Sequence, residues 1–230
     1  MTTIAIIPAR GGSKRIPGKN VKSFMGKPII AYSIETALKS GLFDLVIVST
    51  DCEKIKAVAE FHGAGVPSIR SPDLADDFTG VMDVLLDAIV RAGSGVEYAC
   101  LIYATAPMLT AGKLAEGYLK IKHTDAPYIL SVTGFDFPVQ RALVVGPGQQ
   151  IKPHVEQTIN LRSQDLTATV HDAAQFCWCK AQAVIDGVDI YGGETIAVHI
   201  PKHQVCDIDT PADWTRAEMM YQAWRAQGNA

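Results

Sequence analysis

Four basic side chains, Arg10, Lys14, Arg15 and Lys19, share one short loop with three glycines, Gly11, Gly12 and Gly18. The loop follows an apolar run, Ile4-Ala5-Ile6-Ile7, and no acidic residue precedes Glu35. Positive charge gathered at the end of a buried strand repels itself unless an anion sits there. Adjacent glycines let backbone N–H groups turn inward as an anion-binding nest. A polyphosphate is the natural guest. Two familiar phosphate loops do not fit. The glycines are adjacent, which breaks the G-x-G-x-x-G dinucleotide pattern. Counted from Gly12, the gap to Gly18-Lys19 is one residue too long for a P-loop, and Asn20 stands where Ser or Thr is needed.

A second cluster lies near the C-terminal end, where Val205-Cys206-Asp207-Ile208-Asp209-Thr210-Pro211-Ala212-Asp213-Trp214 reads as a strand end meeting a helix. Positions two apart on an extended segment share a face, so Asp207 and Asp209 project together. Two adjacent carboxylates repel unless a cation joins them, and a pair of hard oxygens suits Mg²⁺. Thr210 as N-cap, Pro211 at N1 and Asp213 at N3 mark the start of a helix. That local role leaves Asp207 and Asp209 without one. A phosphate loop with a carboxylate pair for Mg²⁺ spells nucleotide chemistry: cations hold the leaving group while the metal absorbs charge.

These loops need a scaffold that brings them together. The 230 residues, 48% hydrophobic and 20% charged, fit one soluble domain with a sizeable core. A net charge of −3 argues against nucleic acid as a general partner, so the basic loop is a local device. No apolar run approaches a membrane span, and the N-terminal apolar stretch precedes its positive charges, unlike a signal peptide. Five cysteines (52, 100, 177, 179 and 206) without a C-x-x-C pair point to reduced thiols and a cytoplasmic protein. The one-residue spacing of Cys177-Trp178-Cys179 reads as a strand alternating its faces.

The expected elements alternate. Helical spacing runs from Pro28 to Lys39 and closes at Gly41, and Leu45 to Thr50 is a buried strand. Asp51 is expected to cap a helix from Glu53 to His62. Val66 to Ile69 reads as a short strand, Thr79 to Ala92 as a helix, and Ala99 to Tyr103 as a strand. A helix from Ala111 to Lys122 and a strand from Tyr128 to Thr133 complete the rhythm. Such alternation predicts an α/β fold, a largely parallel sheet covered by helices. Ligands then collect beyond the carboxyl ends of the strands, where loops 8–20, 50–51, 70–80 and 104–107 should meet. Between about Phe135 and Asp172 the rhythm breaks into hairpin and loop material, an excursion with a job of its own.

At this point the sequence resembles a known family. The run Ile7 to Asn20 looks like the N-terminal signature of the acylneuraminate cytidylyltransferases, which make CMP-activated nonulosonic acids. Agreement continues through Gly26-Lys27-Pro28, Val48-Ser49-Thr50-Asp51, Arg70-Ser71-Pro72 and Asp207 to Pro211, nearly the whole chain. Within the family, Tyr103 to Pro107, Phe137 to Arg141, Arg162 to Asp165 and His171 to Phe176 look like the pseudaminic acid branch. Sialic acid enzymes typically carry a Gln-Pro-Thr-Ser-Pro type segment where this chain has Ala104 to Pro107.

The resemblance implies a Rossmann-like nucleotidyltransferase fold and transfer of CMP from CTP to the C2 hydroxyl of a nine-carbon 2-keto acid. Arg10, Gly11, Ser13, Lys14, Lys19 and Asn20 match the CTP-binding loop, with Ala9, Gly12 and Ala104 beside it, and Arg70 and Thr79 match positions on the cytidine part. Lys19 is the first choice for stabilising the transferring phosphate, with Arg10 and Asp209 as its catalytic companions and backbone amides of 11–13 helping. Asp207 and Asp209 match the Mg²⁺ ligands. Asn20, Gln140, Arg141, Arg162, His171 and Gln175 are the sugar candidates, the arginines because they suit a substrate carboxylate. The 135–172 stretch corresponds to a dimerisation arm that implies a homodimer. His171 and Asp172 are adjacent on a strand, so they should point to opposite faces and not act jointly. Legionaminic, N-acetylneuraminic and 3-deoxy-octulosonic acids present the same 2-keto acid, and a non-catalytic nucleotide-sugar sensor would keep the loop.

Overall fold

The computed structural model describes residues 2–74 and 79–228. Its strands are β1 (Thr2–Pro8), the short pair β2 (Ser23–Phe24) and β3 (Lys27–Pro28), β4 (Leu45–Ser49), β5 (Val96–Ile102), β6 (Tyr128–Gly134), a second short pair β7 (Leu143–Val145) and β8 (Ile151–Pro153), β9 (Val170–Lys180) and β10 (Ile196–His199). The helices are α1 (Ile29–Ser40), α2 (Glu53–Phe61), α3 (Val81–Ala92), α4 (Ala111–His123), α5 (Ala181–Ile185) and α6 (Pro211–Ala226). Six strands form one sheet in the order β10-β6-β9-β5-β1-β4. β1 runs parallel to β4 and β5, β10 runs parallel to β6, and β9 is antiparallel to both of its neighbours. The expected mostly parallel α/β sheet is therefore present, with one reversed strand in its middle.

Residues Ile4 to Ile7 are fully buried because both faces of the sheet are covered. One core holds Ile7, Ile30, Ile34, Leu114 and Trp178; the other holds Ile4, Ile6, Leu85, Cys177 and Cys179. Cys177 and Cys179 thus face one core and Trp178 the other, as their spacing predicts. Burial pushes the Cys177 thiol well up, and that of Cys179 to about 12. A third, aromatic core packs Phe24 edge-on against Tyr32, Trp214 and Tyr221, between the β2–β3 pair and α6.

Three local expectations need correction. Val66 to Ile69 is not a strand: only a single bridge, Ile47 to Gly65, links that edge to β4. Asp51 does not cap α2. Cys52 holds the N-cap position without a side-chain bond, and the Asp51 carboxylate accepts from the Gly11 N–H at 2.8 Å instead. Val205 to Asp209 is extended but joins no sheet. The start of α6 is as expected: Thr210 Oγ1 accepts from the Asp213 N–H, and the Asp213 carboxylate accepts from the Thr210 N–H. Among the described residues no helix is long and apolar enough to cross a membrane.

Candidate active site

At the carboxyl ends of β1, β4 and β5 lies a cleft of about 320 Å³. Arg10, Ser13, Lys14, Lys19, Asn20, Arg70, Thr79, Ala104 and Asp209 all line it. Residues separated by nearly the whole chain are thus brought together. Residues 75–78 of the expected 70–80 loop lie outside the described residues.

The basic loop is shaped by close contacts. Ala9 extends the β1 ladder through its N–H to the Ser49 carbonyl at 2.9 Å and is buried. Gly11 sits so near α2 that a Cβ there would stand 2.9 Å from the Cys52 Cβ, so only glycine fits. Gly18 has φ of 63°, which favours glycine for a conformational reason. Asn20 is buried and its Nδ2 donates to the Arg10 carbonyl at 3.0 Å, closing the loop on itself. This geometry corrects the expected nest. The Gly11 N–H is taken by Asp51 and the Ser13 N–H by the Gly11 carbonyl at 3.0 Å. Of the amides at 11–13, only that of Gly12 is left to help, so side-chain cations carry the anion affinity.

The acidic pair is placed by the aromatic core. Ile208 is 1% exposed and packs in that core with Ile16 from the basic loop. Alternation then leaves Asp207 and Asp209 on the opposite side. The same core thereby pins the two chemical segments to each other. Lys19 Nζ donates to the Ile208 carbonyl at 2.7 Å and lies 3.5 Å from Asp209, which Arg15 also meets at 3.0 Å. Burial, then the neighbouring Asp209 charge, pushes the Asp207 carboxyl above its ordinary value, with Lys19 opposing. Asp209 reaches the cleft; Asp207 does not line it. Among the described residues no three His, Cys, Asp or Glu side chains gather to hold a metal. Two hard, mutually repelling carboxylates beside a phosphate-sized cleft still fit Mg²⁺, which keeps several waters and is held by one or two carboxylates plus substrate phosphates.

Arg70 is 6% exposed, and its Nε has no hydrogen-bond partner among the described residues. Burial pulls its guanidinium below the usual value; Asp51 opposes this and Arg10 adds to it. Arg70 nonetheless lines the cleft, where a guanidinium suits an anionic or carbonyl acceptor of a ligand. Thr79 Oγ1 donates to the Asp73 carbonyl at 3.1 Å.

The sugar candidates other than Asn20 lie outside this cleft. Gln140 Nε2 donates to the Thr167 carbonyl at 2.7 Å, and Arg141 donates to the Leu161 carbonyl. Arg162 is paired twice with Asp165, at 2.8 and 3.2 Å. His171 is exposed and tilts against Phe135, while Asp172 turns inward, so the two do point apart. Gln175 is buried, and its Nε2 donates to the Gln204 carbonyl at 2.7 Å. The sequence reading missed Tyr103, Val81 and Val84 as cleft walls, and Ile16 as part of the site. An isoleucine inside a loop of charges was the one available signal for Ile16.

The family model described as cytidylyltransferase matches residues 4–176. Pseudaminic acid cytidylyltransferase of Campylobacter jejuni is 38% identical over 225 residues, 96% of this chain and 97% of that protein. CMP-N,N'-diacetyllegionaminic acid synthase of Legionella pneumophila is 29% identical over 232 residues, with 96% and 97% covered. Among solved structures, CMP:2-keto-3-deoxy-manno-octonic acid synthetase complexed with CTP superposes with a TM-score of 0.74 at 15% identity. That match covers 97% of this chain and 99% of the other.

Proposed function

This chain belongs to the cytidylyltransferase family, and we propose that within it the chain transfers CMP from CTP to the C2 hydroxyl of pseudaminic acid, releasing pyrophosphate. The observation that carries the reading is one cleft in which Arg10, Ser13, Lys14 and Lys19 face Asp209 at the ends of parallel strands. The sugar assignment is supported by the curated relative of that activity at 38% identity over nearly the full chain.

In this reading the C2 oxygen bonds to the α-phosphorus as the bond to the β-phosphate oxygen breaks; pyrophosphate leaves and the hydroxyl proton passes to solvent water. Arg10, Ser13 and Lys14 neutralise the pyrophosphate. Lys19, steadied by the Ile208 carbonyl, stands where it can move from Asp209 to the α-phosphate as charge develops. Arg70, a lining residue of the cleft, contacts the cytidine part. Asp207 and Asp209 would hold Mg²⁺, which when bound polarises the phosphates. The 135–172 stretch serves as the arm of a homodimer. Exposed Phe137, Val145, Ile151 and Leu161 along it support a second copy as their cover.

The test is pyrophosphate release with Mg²⁺ and CTP against a panel of nonulosonic acids, with Asp209→Asn as control. Release with pseudaminic acid that the variant abolishes is expected. Release with another sugar acid alone would overturn the sugar assignment, and CTP binding without release on any of them would favour a sensor. Light scattering in solution tests the dimer.

A further inference from the structure

β9 is the one reversed strand of the sheet, so its N-terminal end, not its C-terminal end, meets the cleft edge. Near that end its register against β6 slips. Leu130 pairs with Cys177 but Val132 with Asp172, so β9 takes five steps where β6 takes two. Within the bulge Ala174 has φ of 50°, a left-handed conformation rare for a side chain with a Cβ. Bulges re-aim side chains, and this one points the Asp172 carboxylate inward. Asp172 Oδ1 accepts from the Ala174 N–H at 2.8 Å, and Tyr103 OH donates to Oδ2 at 3.4 Å.

Tyr103 is itself a wall of the cleft. Its backbone is held on both sides: its N–H donates to the Gln175 carbonyl at 2.9 Å, and its carbonyl accepts from Ser33 Oγ at 2.7 Å. The Gln175 amide, in turn, ties the bulge to Gln204, just before the segment that carries Asp207. The bulge, the cleft wall and the acidic segment are thus one connected structure. An ionised carboxylate has room for about four hydrogen bonds. Ala174 and Tyr103 account for two at Asp172, the second of them long.

Charge decides what the remaining capacity is for. The cations that suit a triphosphate line the cleft on its β1 and β4 side, whereas Asp172, on β9, stands outside that lining and behind the Tyr103 wall whose OH donates to it. The negative charge of Asp172 itself disfavours a phosphate or the acceptor's own carboxylate beside it. Hydroxyl and acylamino N–H groups are drawn to it, because a carboxylate accepts strong charge-assisted hydrogen bonds.

We propose that Asp172, aimed by the β9 bulge, accepts a hydrogen bond from a hydroxyl or acylamino N–H of the acceptor sugar acid and so helps select it, with Tyr103 as its positioning residue. The inference rests on the cytidylyltransferase reading and deepens it.

Steady-state pyrophosphate release by wild type, Asp172→Asn and Tyr103→Phe tests it, using the sugar acid that wild type turns over best. Asp172→Asn should raise the KM for the sugar acid about tenfold or more and leave that for CTP within about twofold. Tyr103→Phe should move the same KM in the same direction by about threefold. Calorimetry of CTP binding without sugar should give the wild-type affinity for Asp172→Asn, showing that the bulge has not collapsed onto the nucleotide side. In Asp172→Asn, equal increases in both KM values, a fall in kcat alone, or weakened CTP binding would each overturn the proposal. A wild type silent on every nonulosonic acid would bring down the underlying reading and this inference with it. Wild-type turnover with an unchanged sugar KM in Asp172→Asn would overturn the inference alone.

Discussion

The basic loop and the 135–172 excursion both carry arginines expected to meet a ligand, yet the structure treats them differently. In the loop, Lys19 is held at 2.7 Å by the Ile208 carbonyl, and Ile16 is buried in the aromatic core behind it. Its cations are fixed from behind and directed at a cleft. In the excursion, Arg162 pairs with Asp165 three residues away, Arg141 with the Leu161 carbonyl and Gln140 with the Thr167 carbonyl. Arg162 is satisfied by its neighbour on an exposed surface, while Gln140 and Arg141 are tied to carbonyls of the same excursion, with Gln140 Oε1 and Arg141 Nε left buried and without a hydrogen-bond partner among the described residues. Charge anchored by a core is organised for a ligand within the chain, whereas charge that closes on itself does its work, if any, against something outside it.

The comparison is tested most severely at Lys19. Lys19→Ala should lower kcat for pyrophosphate release by about 10²–10³-fold, the scale for removing a preorganised charge at a developing anion. Its melting midpoint should fall only modestly, because the side chain gives up one hydrogen bond to the Ile208 carbonyl and a partly exposed ion pair with Asp209. A mild kinetic effect would show that the loop is no more committed than the arm. Ile208→Ala attacks the anchor instead of the charge. Deleting most of a side chain that is 1% exposed should cost about 2–5 kcal/mol in chemical denaturation. It should also weaken activity by loosening Asp207 and Asp209, although neither carboxylate is touched. Full activity in a destabilised variant would mean that the aromatic core holds the fold and not the site.

This difference also governs what could be read in advance. Strands and helices with strong periodicity, such as Ile4 to Ile7 and the Thr210-Pro211-Asp213 helix start, are local properties and were legible. So was the charge pattern of residues 10–20. Asp51 was read as a helix cap because a carboxylate before a helix ordinarily is one. Its true donor, Gly11, is 40 residues away and leaves no local trace. The amides at 11–13 were misjudged for the same reason, since their partners follow from how the loop docks on α2. Val66 to Ile69 has a strand's composition but lacks a strand to pair with beyond one bridge. Ile16 and Ile208 fall in segments dominated by charge, where pattern reading looks at the charges and passes over the residues that position them.

A smaller effect with an informative sign concerns Asp207. Its carboxyl is raised above the ordinary value by burial and by Asp209. A raised folded-state value means the folded protein holds that proton more tightly than the unfolded chain does. The associated stability is present below the unfolded value and lost as pH rises through the folded one. At neutral pH the ionised Asp207 therefore works against folding. Asp207→Asn should melt slightly above wild type at pH 7, and the gain should disappear as pH falls below the ordinary carboxylate range. Calorimetric binding of Mn²⁺ in the presence of CTP should weaken in the same variant. A site that gives up stability for cation binding behaves this way; a variant that melts lower at pH 7 would mark Asp207 as structural.

The smallest expected effect lies in the arm. Arg162 is 72% exposed and its Asp165 partner 44%, so their ion pair contributes little to folding. Arg162→Ala should shift chemical-denaturation stability by less than about 0.5 kcal/mol. Calorimetric CTP affinity should also stay at the wild-type value, because the residue lies outside the cleft. The informative readout is the dependence of sugar-acid KM on protein concentration. Were the arm to reach a second copy, wild type would lose sugar affinity on dilution into a monomeric range, and Arg162→Ala would begin with the weaker affinity and change less on dilution. Identical, concentration-independent KM values for both proteins would remove Arg162 from the sugar site. The contrast would then be complete, with one charged region built for chemistry and the other for its own surface.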